Sequence, residues 1–267
     1  MLLEIVWNVS PTIMELGPFS LRWYGLLFAL GFIIGFQIMT RFFQLEKRDK
    51  NDLNDLLWYM ILGTVIGARL GHCFFYEPVY YLSNPLQIIM IWKGGLASHG
   101  AAVGILISLY MYSKKKKDQP FIWVMDRVVI VTALGGSLIR LGNFFNSEII
   151  GKPADVDWAV VFSRVDNIPR HPAQLYESLA YLIIFVILMT IYFKYREKTK
   201  QGFFFGLFLI LVFGFRFFIE NFKENQSAFE QGMSLNMGQI LSIPAVLAGL
   251  YFVYLYKAKP NQRNGIK

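Results

Sequence analysis

Seven stretches of this sequence are long and continuously apolar. A helix needs roughly 20 mostly apolar residues to cross the hydrocarbon layer of a bilayer. Because the stretches do not alternate between polar and apolar residues, they favour helices over the strands of a β-barrel. We therefore predict an all-α polytopic membrane protein, one membrane domain over residues 1–267, with seven transmembrane helices. The predicted spans are about 19–40, 55–76, 95–113, 121–141, 173–193, 202–220 and 237–256.

The composition agrees with a membrane protein and excludes several other classes. Hydrophobic residues make up 55% of the chain and charged residues 16%, whereas soluble globular proteins carry about 25% charged residues. The single cysteine, Cys73, excludes an intrachain disulfide and a cysteine-based metal cluster. Since the chain has only three histidines as well, we expect neither a metal site nor a cofactor.

The lysines and arginines between the predicted spans are distributed unequally. Sixteen of them lie in the loops after spans one, three and five and in the C-terminal tail, and five lie on the other side. Membrane loops rich in Lys and Arg face the cytoplasm, so we predict an outside N-terminus and a cytoplasmic C-terminus. The net charge of +8 is thereby explained by membrane topology, and no nucleic-acid partner is expected.

Two of the predicted outside loops, 77–94 and 142–172, are substantial and are expected to form a small extracytoplasmic cap. The first contains an apolar segment, 86–92, that is too short to span a bilayer and that we place along the membrane interface. The second contains a β-prone stretch at 158–162, so we expect at most short strands there.

Polar residues of the predicted spans and their outer ends gather at one depth of the bilayer. A charge at the middle of a membrane helix costs about 2.5–3.5 kcal/mol, so such residues imply partners or a wet cavity. Arginines at interfaces often only extend to lipid headgroups, which suffices to explain Arg22, Arg69 or Arg127. It does not explain a larger group that the predicted orientation places together in the outer leaflet: His99, Arg140, Asn143, Glu148 and Arg216.

This outer-leaflet group suits an anionic lipid headgroup. Guanidinium offers paired donors that match phosphate oxygens, and a neutral imidazole is a general base near pH 7. Phosphoryl transfer usually recruits a divalent metal, and the sequence has no carboxylate cluster to hold one. Attack at carbon with departure of a phosphate needs only positive charge and a base. The alternative is a transporter or flippase that uses the arginines only to bind an anionic lipid.

A long motif at the end of the fourth predicted span resembles a known family. The run from Arg140 to Gly151, RLGNFFNSEIIG, is similar to the pattern R-x-G-N-F-x-N-x-E-x-x-G of the bacterial prolipoprotein diacylglyceryl transferases. Further segments resemble the same family, in the family's order, and extend the resemblance over nearly the whole chain. They are 22–25 (RWYG), 67–71 (GARLG), 94–100 (GGLASHG), 170–177 (RHPAQLYE) and 216–220 (RFFIE).

The resemblance implies a transferase that acts in the first step of bacterial lipoprotein maturation. The family moves diacylglyceryl from phosphatidylglycerol to the lipobox cysteine of a prolipoprotein signal peptide, forming a thioether and releasing glycerol phosphate. The implied partners are phosphatidylglycerol, prolipoprotein signal peptides and membrane lipid. The implied location is the bacterial inner membrane, with seven spans, an outside N-terminus and the active site toward the periplasmic leaflet.

The resemblance also implies roles for the residues of the motif and for one histidine. Arg140 is expected to bind the phosphate of the lipid, supported by Asn143, Asn146 and a Glu148 carboxylate that fixes the guanidinium. His99 is expected to be the base, or else a hydrogen-bond partner of the glycerol.

Matched positions elsewhere in the chain complete the implied site. Arg216, oriented by Glu220, is expected to bind the phosphate or stabilise the leaving group, and Tyr24 to contact the headgroup. Val212 stands where related sequences often have tyrosine, so no hydroxyl is assigned there. Lys223 lies in a segment that resembles the family only loosely and is given no role. The implied supporting residues are Gly151, Arg69 and His171.

Overall fold

Most of the chain is helical in the computed structural model, which describes residues 5–17, 19–225, 230 and 232–256. The α-helices of this part of the chain are α1 (Trp23–Leu45), α2 (Lys50–Phe75), α3 (Pro78–Ser83), α4 (Ser98–Lys115), α5 (Phe121–Asn146), α6 (Ala173–Tyr195), α7 (Phe203–Ile219) and α8 (Met237–Leu250). Short 3-10 helices follow α3 at Pro85–Gln87 and Ile91–Lys93 and follow α7 at Glu220–Phe222. A π-helical turn, Tyr251–Leu255, extends α8.

Six of these helical segments are long and apolar enough to cross a membrane. They are Trp23–Leu45, Lys50–Phe75, Phe121–Asn146, Ala173–Tyr195, Phe203–Phe222 and Met237–Leu255. This finding supports a mainly helical protein with several membrane spans. The third predicted span, covered by α4, is not among the six, because its 18 residues begin with Ser98-His99 and end with two lysines. The seventh crossing and the orientation of the protein in the membrane stay predictions. Four of the basic residues from which the orientation was predicted lie outside the described residues: Lys257, Lys259, Arg263 and Lys267.

The predicted start of the first span was wrong. Residues 12–17 and 19–22 belong to a β-hairpin in which β2 (Thr12–Leu16) pairs antiparallel with β3 (Phe19–Arg22). The chain turns at Gly17, whose φ of 60° favours glycine. The first helix therefore begins at Trp23 instead of 19, and the exposed Arg22 is the last residue of β3.

Other predicted boundaries also differ from the structure. The second helix begins at Lys50 instead of 55, because the Asp49 side chain caps it by accepting from the backbone N of Asn51 at 2.8 Å. The helix α5 continues past 141 to Asn146, so Asn143 and Asn146 belong to a helix and not to the predicted cap. The side-chain NH2 groups of both asparagines donate to the Glu148 carboxylate.

Short strands do occur in the 142–172 segment, as predicted, but the sequence did not indicate their partner. The strand β4 (Val160–Phe162) pairs with β5 (Pro169–Arg170) and, in parallel, with β1 (Ile5–Trp7) from the N-terminus. The Trp7 ring packs on Phe144 of α5 with 4.3 Å between the ring centroids. This packing anchors the small sheet on the end of α5.

The chain divides into two compact units, which we describe separately; the single domain over 1–267 stays a prediction. The second unit comprises Met39–Met125. In it α2 and α4 pack through glycines, since a Cβ added at Gly67 would lie 2.5 Å from the carbonyl oxygen of Gly100 and 2.7 Å from the Cα of Gly104. Small residues spaced in this way let membrane helices approach closely.

The first unit comprises Met1–Ile38 and Asp126–Lys267. Here α7 and α8 approach at Gly206 and Gly249, since a Cβ added at either would lie 2.7 Å from the carbonyl oxygen of the other. The buried Asp126 carboxylate of α5 accepts from the backbone N of Gly202 at 2.7 Å and of Phe205 at 2.9 Å. It thereby satisfies orphan donors at the start of α7.

Candidate active site

The C-terminal end of α5 carries three of the predicted site residues. Arg140, Asn143 and Asn146 are three residues apart, so their side chains follow one another along the helix. Arg140 Nη1 donates to Asn143 Oδ1 at 3.4 Å. The amides of Asn143 and Asn146 donate to the two carboxylate oxygens of Glu148 at 3.1 and 3.2 Å. The residue predicted to bind the phosphate, Arg140, is therefore close to its three predicted supports, although Glu148 contacts the asparagines and reaches the guanidinium only through Asn143.

A strained turn after α5 places the Glu148 side chain next to the last turn of that helix. Ser147 and Ile149 have φ values of 55° and 57°, a conformation that costs on the order of 1–3 kcal/mol at a residue other than glycine. The backbone N of Glu148 donates to the carbonyl of Asn143 at 2.9 Å. Its own carbonyl accepts from Gln174 Nε2 at 2.7 Å. These bonds hold the turn that aims Glu148 at the asparagines.

A series of ion pairs, which we call the ion-pair chain, connects α5, α6 and the end of α7. Arg140 Nε lies 3.2 Å from Glu177 Oε2, and Glu177 Oε1 lies 3.7 Å from Lys223 Nζ. Lys223 Nζ donates to Glu220 Oε1 at 2.8 Å, and Arg216 Nε lies 3.4 Å from the same oxygen. With three cations and two carboxylates, the ion-pair chain attracts a further anion.

The ion-pair chain is buried in its middle and open at its ends. The side chains of Glu177 and Lys223 are 0% exposed and that of Glu220 is 6% exposed. The side chains of Arg140 and Arg216 are 16% and 31% exposed. Buried charges persist when they are paired. The accessible cations of the ion-pair chain are therefore the two guanidinium groups.

The start of α8 holds Glu220 in place. Asn236 Nδ2 donates to Glu220 Oε2 at 3.3 Å. A Cβ added at Gly238 would lie 2.5 Å from Glu220 Oε1, so only glycine leaves room for the carboxylate. Glu220 contacts Arg216, as the predicted orienting role requires.

Tyr24, in the first turn of α1, borders the same part of the site. Its ring lies against Gly142, where an added Cβ would be 2.8 Å from the ring carbon Cδ2. This position is compatible with the predicted contact to a lipid headgroup.

Gly151 and His171 belong to a crossing of three backbone segments beside the ion-pair chain. The backbone N of Gly151 donates to the carbonyl of His171 at 3.2 Å, and the backbone N of Lys152 donates to the carbonyl of Phe222 at 2.8 Å. A Cβ added at Gly151 would lie 2.7 Å from the Cβ of His171. Because Lys223 follows Phe222, this crossing fixes the position from which its ammonium reaches the carboxylates.

Arg170, near the end of the 142–172 segment, forms hydrogen bonds at the same crossing of backbone segments. Its Nη1 donates to the Gly151 carbonyl at 3.2 Å and to Glu224 Oε1 at 2.7 Å. Its Nη2 donates to Asp166 Oδ2 at 2.6 Å. The hydrogen bond from the Arg170 guanidinium lowers the pKa of the Asp166 carboxyl below its ordinary value.

Arg69, in the second unit, donates hydrogen bonds to backbone carbonyls of the same unit. Its guanidinium donates to the carbonyls of four residues that precede α4, at distances of 2.5–3.2 Å: Gln87, Ile88, Gly94 and Gly95. It also lies 5.0 Å from the centroid of the Tyr81 ring. Arg69 therefore orders the loop before His99, which fits a supporting position.

His99 is the second residue of α4 and is exposed. Its ring contacts those of Phe75 and Tyr76, with centroid distances of 5.4 and 5.8 Å. It lies in the second unit, whereas Arg140 and Arg216 lie in the first. Its role as the base therefore stays a prediction.

Sequence reasoning left two members of the ion-pair chain out of the site. Glu177 is an ionisable residue in an apolar span, and such residues mark functional sites by default. Lys223 follows Glu220 by three residues, a spacing that favours an ion pair. Within the described part of the chain, no three His, Cys, Asp or Glu side chains are grouped so that they could hold a metal ion.

Comparison with known proteins gives consistent matches over almost the whole chain. The model of the prolipoprotein diacylglyceryl transferase family matches residues 11–255. A phosphatidylglycerol–prolipoprotein diacylglyceryl transferase of Chloroherpeton thalassium is 52% identical over 250 residues, which cover 94% of this chain and 93% of the relative. The enzyme of the same name from Tolumonas auensis is 49% identical over 251 residues, covering 94% and 97%. That from Bacteroides fragilis is 46% identical over 271 residues, covering 97% and 98%.

Proposed function

The chain belongs to the prolipoprotein diacylglyceryl transferase family, and we propose that it transfers diacylglyceryl from phosphatidylglycerol to the lipobox cysteine of a prolipoprotein. The observation that carries the proposal at the level of residues is the ion-pair chain. Its two accessible ends, Arg140 and Arg216, are both guanidinium groups. Guanidinium is the side-chain group that best matches the oxygens of a phosphate.

The reaction exchanges one bond at a glycerol carbon. The cysteine thiol loses its proton to a base, and the sulfur attacks the glycerol carbon that bears the phosphate. A carbon–sulfur bond forms while the carbon–oxygen bond breaks, and glycerol phosphate leaves with the electron pair. The products are a thioether-linked diacylglyceryl peptide and glycerol phosphate. The phosphate gains negative charge as it leaves, so preorganised cations lower the barrier.

Arg140 binds the phosphate of the lipid in this proposal. Its guanidinium is held by Glu177, which contacts Nε, and by Asn143, which accepts from Nη1. The Glu148 carboxylate in turn accepts hydrogen bonds from Asn143 and Asn146. A guanidinium has five N–H donors, so donors remain for two phosphate oxygens.

Arg216 stabilises the departing phosphate, and Glu220 orients it from one turn further along the chain. Tyr24, beside Gly142, contacts the glycerol of the headgroup. Since a free thiol has a pKa of about 8.5, a base is needed at neutral pH, and we assign that role to His99. Gly151, Arg69 and His171 support the site through the backbone contacts described above.

The proposed topology has seven spans, an outside N-terminus and a cytoplasmic C-terminus in the bacterial inner membrane. Support comes from the six apolar helical segments, from the length of α4 and from the unequal distribution of Lys and Arg. In this topology the ends of α5 and α7 that carry Arg140 and Arg216 face the periplasmic leaflet. Phosphatidylglycerol and the signal peptide then meet the site from the membrane.

The test uses purified protein in detergent with phosphatidylglycerol and a synthetic lipobox peptide. We expect the peptide to gain the mass of one diacylglyceryl unit, and a peptide with Cys→Ser to remain unmodified. Glycerol phosphate should appear in equal amount. Absence of the mass gain with the wild-type protein would refute the transferase.

The alternative, a transporter or flippase for an anionic lipid, is not favoured by the family membership. The two functions are separated by the same protein in vesicles that contain labelled phosphatidylglycerol. A flippase would move the label between leaflets without any peptide, whereas the transferase consumes phosphatidylglycerol only when the peptide is present.

A further inference from the structure

Arg164 is an exposed residue of the turn between β4 and β5 to which no role has been given so far. Its guanidinium joins two parts of the first unit that are distant in sequence. Nη2 donates to the carbonyl of Asn146 at 2.7 Å, and Nη1 donates to the carbonyl of Val9 at 3.1 Å. Asn146 is the last residue of α5, and Val9 follows β1. Arg164 therefore bridges the end of the helix that carries the motif and the N-terminal segment.

The end of α5 needs such a donor. The last carbonyls of a helix have no partner within the helix, and the helix stops at Ser147, whose φ is 55°. The carbonyl of Asn143 accepts from the backbone N of Glu148 at 2.9 Å, and the carbonyl of Asn146 accepts from Arg164. A cation is also favourable at this negative end of the helix dipole. Arg164 thus stabilises the strained turn from outside the motif.

The turn that carries Arg164 is itself attached to a strand that packs on α5. The neighbouring Ser163 donates to the carbonyl of Trp7 in β1, through its backbone N at 3.3 Å and through its Oγ at 3.2 Å. The Trp7 ring packs on Phe144, in the last turn of α5. These contacts place the Arg164 backbone beside the end of the helix.

The end of α5 in turn sets the arrangement of the side chains that orient Arg140. Asn146 Nδ2 donates to one carboxylate oxygen of Glu148 at 3.2 Å, and Asn143 Nδ2 donates to the other at 3.1 Å. Asn143 Oδ1 accepts from the Arg140 guanidinium at 3.4 Å. A movement of the Asn146 backbone would therefore shift Glu148 and, through Asn143, change the support of the guanidinium.

We propose that Arg164 is a positioning residue for lipid binding: it holds the carboxyl end of α5 so that the Arg140 guanidinium keeps the orientation that receives the phosphodiester of phosphatidylglycerol. This inference rests on the proposed function of Arg140. It gives the turn between β4 and β5 a part in lipid recognition, although this turn lies outside the motif.

The first test is Arg164→Met, which removes both hydrogen bonds but keeps a long apolar side chain. Arg41→Met is the matched control, because Arg41 is an exposed arginine of α1 in the other unit. We expect Arg164→Met to raise the KM for phosphatidylglycerol roughly 5- to 10-fold, the effect of one lost hydrogen bond. The KM for the lipobox peptide and kcat at saturating lipid should stay near the wild-type values, since a contact made equally before and during the reaction changes KM alone. The control should resemble the wild type.

Two further variants separate positioning from a general loss of stability. Asp126→Asn removes contacts at the other end of α5 and should lower the melting temperature without changing the KM for phosphatidylglycerol. Arg164→Met should raise this KM whatever its melting temperature. Arg164→Lys keeps the charge and a donor for the Asn146 carbonyl, so its KM should return to within about twofold of the wild-type value.

Four results would each overturn the inference: an unchanged KM for phosphatidylglycerol in Arg164→Met, an equal rise of the KM for both substrates, an equal rise in Asp126→Asn, or no recovery in Arg164→Lys. Failure of the proposed function is a different observation, since the wild-type protein would then leave the peptide unmodified. In that case binding is measured as the rise in melting temperature that phosphatidylglycerol produces in detergent, with phosphatidylethanolamine as the reference lipid. Arg164→Met should reduce this rise, and an undiminished rise would count against the role of Arg164.

Discussion

Arg140 of α5 and Arg216 of α7 are the two ends of one ion-pair chain, although they lie on different helices. Between them the charges alternate through Glu177, Lys223 and Glu220. Such an arrangement places each buried charge of the ion-pair chain within 4 Å of an opposite charge, while it leaves the two terminal guanidinium groups partly open. A phosphodiester bound at either end would continue the alternation with one more negative charge. The other carboxylate at this end of α5, Glu148, is exposed and is engaged by two asparagine amides.

Arg140→Lys tests the forked geometry at one end of the ion-pair chain. Lysine keeps the charge but loses the planar donors that contact Glu177 and Asn143 while binding a phosphate. We expect kcat/KM for phosphatidylglycerol to fall about 100-fold, which corresponds to about 2.7 kcal/mol of transition-state stabilisation. Arg196→Lys, at the cytoplasmic end of α6 in the proposed topology, is the matched control and should keep full activity. Full activity of Arg140→Lys would contradict bidentate binding.

Glu177→Gln tests the buried middle of the ion-pair chain. The substitution removes the carboxylate between Arg140 and Lys223 while preserving shape, and unpairing buried charges typically costs about 3–5 kcal/mol. We expect a loss of this order in the free energy of unfolding, measured by titration with SDS. The double variant Glu177→Gln/Lys223→Met should lose less than the two single variants together, because each single variant already removes the contact between Glu177 and Lys223. Additive losses would show that the two residues do not interact.

His99→Gln tests the assignment of the base. Without a base the reaction depends on the fraction of thiol that ionises by itself, and this fraction grows as the pH approaches about 8.5. We expect activity at pH 7 to fall about 100-fold or more, and the deficit to shrink as the pH is raised to 9. The measurement is the rate of peptide modification from pH 6 to 9. Normal turnover over this whole range would refute the assignment.

The sequence predicted the helical membrane architecture well because apolar length is a strong local signal. Six of the seven predicted spans overlap helical segments that are long and apolar enough to cross a membrane, and their ends differ from the predicted ones by at most five residues. The first span was misplaced at its start, because 12–22 is also apolar and its hairpin pairing is not visible in hydropathy. The parallel pairing of β1 with β4 depends on contacts between distant parts of the chain, which one sequence does not reveal.

The candidate site was predicted in part for a related reason. Arg140, Asn143, Asn146 and Glu148 form a local motif, and the structure shows them in contact. The partner of Arg140, Glu177, comes from another helix, and the pairing depends on how α5 packs against α6. Sequence spacing carries no information on that packing.

Asp126→Asn tests a structural carboxylate at the other end of α5. Asp126 is 2% exposed and accepts from the backbone N of Gly202 and Phe205 at the start of α7. Loss of its charge should weaken both bonds and lower the free energy of unfolding by about 1–3 kcal/mol. The KM for phosphatidylglycerol should remain unchanged, because the residue is remote along α5 from Arg140. An exposed control is Asp157→Asn, which should leave stability unchanged; equal stability of Asp126→Asn would contradict the capping role.

Acid should weaken the cap through Asp166. The Arg170 guanidinium lowers the pKa of this carboxyl, so the carboxylate is favoured in the folded state. The resulting stabilisation is fully present above the ordinary pKa of about 3.9 and is lost as the pH falls through the lowered value in the folded protein. We therefore expect the difference in melting temperature between the wild type and Asp166→Asn to be constant from pH 8 to about 5 and to shrink as the pH falls through the lowered pKa of the folded protein. A difference that grows toward acid would mean that the pair does not favour the charged carboxylate. Since Arg170 also contacts Gly151 and Glu224, the crossing that positions Lys223 should loosen over the same acidic range.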